Sequence, residues 1–153
     1  MNEIVRVSGL TKEFAIGDDR VLRAVDGVEF SIGKGETLGL VGESGSGKST
    51  TGRILIGLIP PSAGEIELFG KRIGKGRMPD DVRRRMQFVF QDPSGALNPR
   101  MRAGDSIAEP MVIAGENRAN RAARVAELLS LVGLPRDAAD RYPHEFSGGQ
   151  RQR

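Results

Sequence analysis

Gly42-Glu43-Ser44-Gly45-Ser46-Gly47-Lys48-Ser49-Thr50 decides how this chain is read. It fits the phosphate-loop pattern G-x-x-x-x-G-K-[ST] at Gly42, Gly47, Lys48 and Ser49. The flanks fit the same motif. Thr37-Leu38-Gly39-Leu40-Val41 is a short apolar run that predicts a buried strand. Thr51 to Ile59 places Ile54, Leu55, Leu58 and Ile59 on one face of a predicted helix, and Pro60-Pro61 stops it. A triphosphate needs many donors and little steric bulk. Glycines let the backbone curl into a concave nest of N–H groups, and the positive end of the following helix faces the phosphates. Lys48 is placed to bring an ammonium to the β- and γ-phosphates, and the Ser49 hydroxyl to ligate Mg²⁺. The other reading of the stretch is a glycine-rich surface turn.

Composition sets the frame. The chain has 153 residues, enough for one domain with a core, and 38% are hydrophobic. Ile54 to Ile59, its longest apolar stretch, is interrupted by Gly57 and too short to cross a bilayer. The first residues carry no basic segment followed by an apolar one, so no secretory leader is expected. The absence of cysteine removes disulfides and thiolate metal sites and fits a reducing compartment. The single histidine, His144, makes neither a histidine metal cluster nor a Ser-His-Asp triad. Net charge is +3, concentrated at Arg83-Arg84-Arg85 with Lys71, Arg72, Lys75 and Arg77 nearby. Asp80 and Asp81 adjoin that cluster and aromatic residues are scarce, so a solvated face is expected there, and no nucleic-acid partner.

The chain changes character along its length. Ile4, Val5 and Val7 predict a first strand. Val28, Phe30 and Ile32 alternate with polar residues and predict a half-buried second. Residues 64–70 read as a strand between glycine turns, a short helix starts near Asp80, and Phe88-Val89-Phe90 reads as a buried strand. From Ala103 to Val132 the pattern is helical, with Ala122, Val125, Leu128 and Val132 on the apolar face and Gly133 and Pro135 as the stop. Two domains are therefore expected: a mixed α/β part over residues 1–92 and a helical part over residues 93–153.

A second anion site is expected at Phe146-Ser147-Gly148-Gly149-Gln150, where Ser147 caps a helix start that two glycines leave open. One nucleotide rarely needs two cradles, but two copies facing head to tail would use both. This stretch resembles the Leu-Ser-Gly-Gly-Gln signature of ATP-binding-cassette (ABC) ATPases, with Phe146 in place of leucine. Phe90-Gln91-Asp92-Pro93 resembles the family's Q-loop. The resemblance implies that Gln91 reaches Mg²⁺ and the attacking water. Phe14 has the spacing of the aromatic that stacks on adenine, or else belongs to the core. Residues 90–100, Arg141-Tyr142-Pro143-His144-Glu145 and Ala24-Val25-Asp26-Gly27-Val28 are similar to ATPases of oligopeptide, dipeptide and nickel importers. The resemblance spans about Val7 to Arg153.

The resemblance implies an α/β P-loop NTPase fold, with a RecA-like core, an N-terminal antiparallel β part and a helical subdomain that ends at the signature helix. It implies an ATPase that binds Mg-ATP through residues 42–50 (with Phe14 and Gln91), uses Lys48 and Gln91 in hydrolysis, and completes a partner's site with Ser147, Gly148, Gly149 and Gln150. The implied partners are a second ATPase subunit, two permease subunits and, indirectly, an extracytoplasmic solute-binding protein. The implied location is the cytoplasmic face of the membrane. The family's Asp-Glu strand end and switch histidine have no match here, which leads us to expect an N-terminal fragment that does not turn over alone. Asp92 is the one candidate for the Mg²⁺ aspartate, but Gln91 and Pro93 flank it where the family has neither. A non-transport ABC NTPase, or a nucleotide-binding fragment without turnover, remains open.

Overall fold

The computed structural model describes residues 3–17, 19–74, 78–91 and 93–153, with Pro93 and Ser94 by their backbone only. Lys75, Arg77 and Asp92 lie outside the described residues. The chain divides between Phe88 and Val89 into two compact units.

The first unit is built on one antiparallel sheet in the order β2-β1-β3-β4, with β1 Glu3–Ala15, β2 Val21–Gly33, β3 Ala63–Leu68 and β4 Lys71–Ile73. Val5 and Val7 are buried and Arg6 and Ser8 exposed, as period-two geometry requires. Strict alternation would then turn Leu10 outward. Instead, one extra residue on β1 between the pairs Val7↔Phe30 and Leu10↔Val28 shifts the register. That bulge brings Leu10, fully buried, onto the face of Val5 and Val7. Ile54 of α1 (Lys48–Leu55), Val82 of α2 (Asp80–Arg83) and Met78 pack with Val25, Ile66 and Leu68 into the same cluster. Val28, Phe30 and Ile32 are half-buried against it, as their alternation predicts.

Three sequence expectations fail in this region. Residues 37–41 form no strand, and Leu38, Leu40 and Val41 are exposed, Val41 by 95%. Residues 88–90 form none either, and Val89 is 87% exposed. An apolar run becomes a strand only when a neighbour takes its N–H and C=O groups. Among the described residues no strand pairs with either run. Finally, α1 ends at Leu55 and does not continue to Ile59. Gly57 N donates to Ile54 O (2.9 Å) and Leu58 N to Arg53 O (2.9 Å), which satisfies the last carbonyls one turn before the prolines.

The second unit is helical: α3 (Pro93–Ala96), α4 (Ala103–Ile113), α5 (Arg118–Leu131), 3₁₀ turns at Arg136–Asp140 and Pro143–Glu145, and α6 (Gly148–Gln152). The stretch read as one helical region is two helices. Gly115 adopts φ 79°, where a Cβ is disfavoured. Gly115 N then donates to Val112 O and Glu116 N to Met111 O, each at 3.0 Å, closing α4. Asn117 opens α5, its Oδ1 accepting from Asn120 N at 2.9 Å.

The apolar face of α5 keeps Val125, as expected, but centres on Val125 and Leu129 and leaves out Ala122 and Val132. Val125 and Leu129 are buried, Leu128 is half-buried, Ala122 is exposed and Val132 is 38% exposed. The face is set by what packs on it, namely Ala138, Phe146 and residues of α4 such as Ile107 and Met111. Leu129 is 2% exposed at the centre of that small core. Leu129→Ala should cost about 2–5 kcal/mol, seen as a lower urea midpoint at unchanged slope when helicity is followed by circular dichroism.

Candidate functional site: a lysine-filled glycine loop and a capped helix start

In the first unit, residues 42–47 bend into α1 so that Lys48 is its first residue and Gly47 its N-cap. Lys48 Nζ turns back into the bend. It donates to Gly42 O (2.8 Å), Glu43 O (2.6 Å) and Ser46 Oγ (3.2 Å), so the loop closes around an ammonium. The loop is seated on β2 at Gly47. That residue has φ 89°, and a Cβ there would lie 2.2 Å from Ala24 O. Thr51, 4% exposed, pins the same point, because its Oγ1 and its N both donate to Gly47 O (3.0 and 2.8 Å).

A cavity of about 410 Å³ adjoins the loop, lined by Gly42, Gly45, Ser46 and Lys48 on one side and by Ala24, Val25 and Leu40 on the other. The first turn of α1 carries no acidic residue. Its leading N–H groups have no intrahelical acceptor, and together with Lys48 they make a positive, donor-rich surface. Glu43, Ser44 and Ser49 are exposed and Thr50 is half-buried. This arrangement suits a phosphorylated anion, and the exposed Ser49 hydroxyl adds a hard oxygen donor of the kind Mg²⁺ takes. Phe14 is 38% exposed on β1, paired with Leu22, with Lys12 Nζ 5.0 Å from its ring centroid. It is not among the core residues of the unit.

Four described residues of the basic cluster have a nearby partner. Arg83 meets Asp80 (2.7 Å), Lys71 meets Asp81 (2.5 Å), Arg72 meets Glu65 (2.8 Å), and Arg85 lies over the Phe69 ring at 3.7 Å. The hydrogen bond from Lys71 holds the Asp81 carboxyl below the usual carboxylate range.

In the second unit, Gln91 is exposed immediately before Asp92. Ser147 caps α6 reciprocally: its Oγ accepts from Gln150 N (3.2 Å), and Gln150 Oε1 accepts from Ser147 N (3.0 Å). Gly148 and Gly149 are exposed on the first turn. Phe146, 7% exposed, anchors the segment in the core with Val125 and Leu129. The reciprocal bond was missed from sequence, although Ser-x-x-Gln is its signal. It gives Gln150 a backbone partner within its own chain. Ser147→Ala should weaken α6 by about 1 kcal/mol, read as faster amide exchange at Gln150 with the α5 amides unchanged. Among the described residues, no helix is long and apolar enough to cross a membrane.

A family model described as ABC transporter matches residues 25–153. A Brucella abortus (strain 2308) protein named for peptide import and ATP binding is 58% identical over 98% of this chain and 48% of its own length. The oligopeptide transport ATP-binding protein OppF of Streptococcus mutans is 46% identical over 99% of this chain and 50% of its own. The chain thus spans about half the length of the curated relatives it matches. Among solved structures, the dimeric post-hydrolysis ATP-binding cassette MJ0796, bound to ADP and Pi, superposes with a TM-score of 0.82 at 29% identity. That match covers 96% of this chain and 65% of the other.

Proposed function

The chain belongs to the ABC transporter family, and from that premise we propose that it is the nucleotide-binding part of an importer's energy-coupling ATPase, one that moves peptides or nickel. The observation that carries the reading is the loop itself, a lysine ammonium ringed by Gly42 O, Glu43 O and Ser46 Oγ at the start of α1. Residues 42–50 hold the triphosphate, with Lys48 on its terminal phosphates and Ser49 toward Mg²⁺. Phe14 offers an exposed ring for the base. Gln91 reaches Mg²⁺ and the attacking water. Residues 1–92 carry this core.

Residues 93–153 carry the helical subdomain, whose Ser147, Gly148, Gly149 and Gln150 close the nucleotide site of a second ATPase subunit. The dimeric state of the MJ0796 cassette supports that pairing, and names of relatives that speak of peptide import and oligopeptide transport support the importer reading. The ATPase lies peripherally on the inner face of the cell membrane, where two transmembrane permease subunits, fed indirectly by an extracytoplasmic solute-binding protein, complete the assembly.

Calorimetric titration tests the reading. Mg-ATP and Mg-ADP should bind with similar enthalpy signatures, and adenosine, which lacks phosphates, should bind at least a hundredfold more weakly. Equal binding of adenosine and ATP would place recognition on the base alone and overturn the phosphate-loop assignment.

A further inference from the structure

Gly52 stands in the middle of α1, where glycine is less favourable than any residue except proline. The structure shows what its missing side chain permits. A Cβ built there would lie 3.3 Å from Phe88 Cε2, so the Phe88 ring rests against helix backbone. Lys48 and Ser49 precede Gly52 by four and three residues. All three therefore share one helical face, with Gly52 falling between the other two. That face is turned away from Ile54, which is buried in the core. The seat of the ring lies about 4.5 Å along the helix axis from Ser49.

Phe88 is also the last residue of the first unit. The segment that leads to it is held down at several points. Arg85 lies over the Phe69 ring at 3.7 Å, Met86 packs against the core cluster, and Phe88 is half-buried with its ring on α1. The next residue, Val89, is 87% exposed. Gln91 follows Phe88 by three residues. Chain connectivity alone keeps their Cα atoms within about 11 Å of each other, whatever path the backbone takes.

We propose that Phe88, seated on Gly52, is a positioning residue for Mg²⁺ binding that acts through Gln91. This deepens the nucleotide reading above and rests on it in taking Ser49 and Gln91 to reach the ion. A ligand on a short tether reaches its site at an effective concentration set by where the tether starts. The seat on Gly52 starts this tether on the Ser49 face of α1. Releasing the ring frees the start of the tether, and the ion loses a ligand. The donors that hold the phosphates, Lys48 and the N–H groups of the loop, are left as they were.

Calorimetry of the full chain with ATP, once with Mg²⁺ and once with EDTA, tests the proposal. The ratio of the two affinities measures how far the metal tightens binding. Phe88→Ala should reduce that ratio at least fivefold, with ATP affinity in EDTA within twofold of wild type. Gly52→Leu, which displaces the ring from the helix side, should reduce it as far. Phe88→Met, long and apolar enough to lie on Gly52, should recover most of it. Gln91→Ala should lower the ratio in the wild type but lower it no further in Phe88→Ala, because both changes remove the same ligand. A role in packing alone would lower the thermal midpoint of these variants and leave the ratio unmoved. An unchanged ratio in Phe88→Ala and Gly52→Leu would overturn the proposal. So would effects of Phe88→Ala and Gln91→Ala that multiply, or a wild type that Mg²⁺ does not tighten. Any of these can occur with ATP still preferred to adenosine in EDTA, which leaves the phosphate-loop reading standing. Loss of that preference in the wild type would overturn both.

Discussion

Gly47→Val should abolish nucleotide binding while leaving most of the fold in place. Two costs coincide at this position. The residue sits at φ 89°, where an L side chain, and a β-branched one above all, pays of order 1–3 kcal/mol. Its Cβ would also stand 2.2 Å from Ala24 O. That neighbour is backbone of β2 and cannot rotate aside. The loop must lift from β2, which breaks the two bonds that Thr51 makes to Gly47 O and moves the start of α1. The core cluster of Val5, Val7, Leu10, Ile66 and Leu68 is contributed by the sheet and survives that movement. Calorimetry should therefore show a loss in Mg-ATP affinity of at least a hundredfold, or about 2.7 kcal/mol, with the far-ultraviolet spectrum nearly unchanged. Gly39→Ala is the control. An added Cβ there meets nothing within 4 Å, and binding should stay within twofold. Wild-type affinity in Gly47→Val would show that the seat on β2 is dispensable.

The sequence reading succeeded where a local rule determines the outcome. Glycine spacing and Lys48 located the loop because a tight bend at the start of a helix tolerates few other residues. Alternation at Val28, Phe30 and Ile32 located β2 because its neighbour β1 is close in sequence and pairs with it. The reading failed where the outcome depends on a partner element. Residues 37–41 and 88–90 have strand composition and no strand geometry. Composition measures a preference for burial, but pairing requires a second chain segment beside the first. The phase of α5 failed for a related reason. Val125 is buried as its spacing predicts, but the face turns toward Leu129 because Ala138 and Phe146 pack there, residues that no local periodicity brings to it. At the site, Ser147 was legible as a cap. Gln150's bond back to Ser147 N was hidden because a signature glutamine invites a ligand role first.

Lys48→Ala separates the two roles that the geometry gives this side chain. Its ammonium satisfies Gly42 O, Glu43 O and Ser46 Oγ. Gly42, Glu43 and Ser46 are all exposed, so water replaces the ammonium at those oxygens and the folded state should lose no more than about 1 kcal/mol. On the proposed reading the same charge neutralises terminal phosphate oxygens, and nothing else in the first turn of α1 supplies a full positive charge. A charge-assisted contact of that kind is worth about 1.5–3 kcal/mol. Mg-ATP affinity should therefore fall some ten- to a hundredfold with the thermal midpoint nearly unchanged. Lys48→Met preserves the length and removes the charge, and should fall as far as alanine does. Lys48→Arg preserves the charge but not the compact head that fits between Gly42 O, Glu43 O and Ser46 Oγ, and should recover only part of the affinity. Adenosine should bind every variant like the wild type. Loss of Mg-ATP binding together with a collapse of the thermal midpoint would assign Lys48 to holding the loop. Unchanged Mg-ATP binding in Lys48→Ala would place the phosphates elsewhere on the chain.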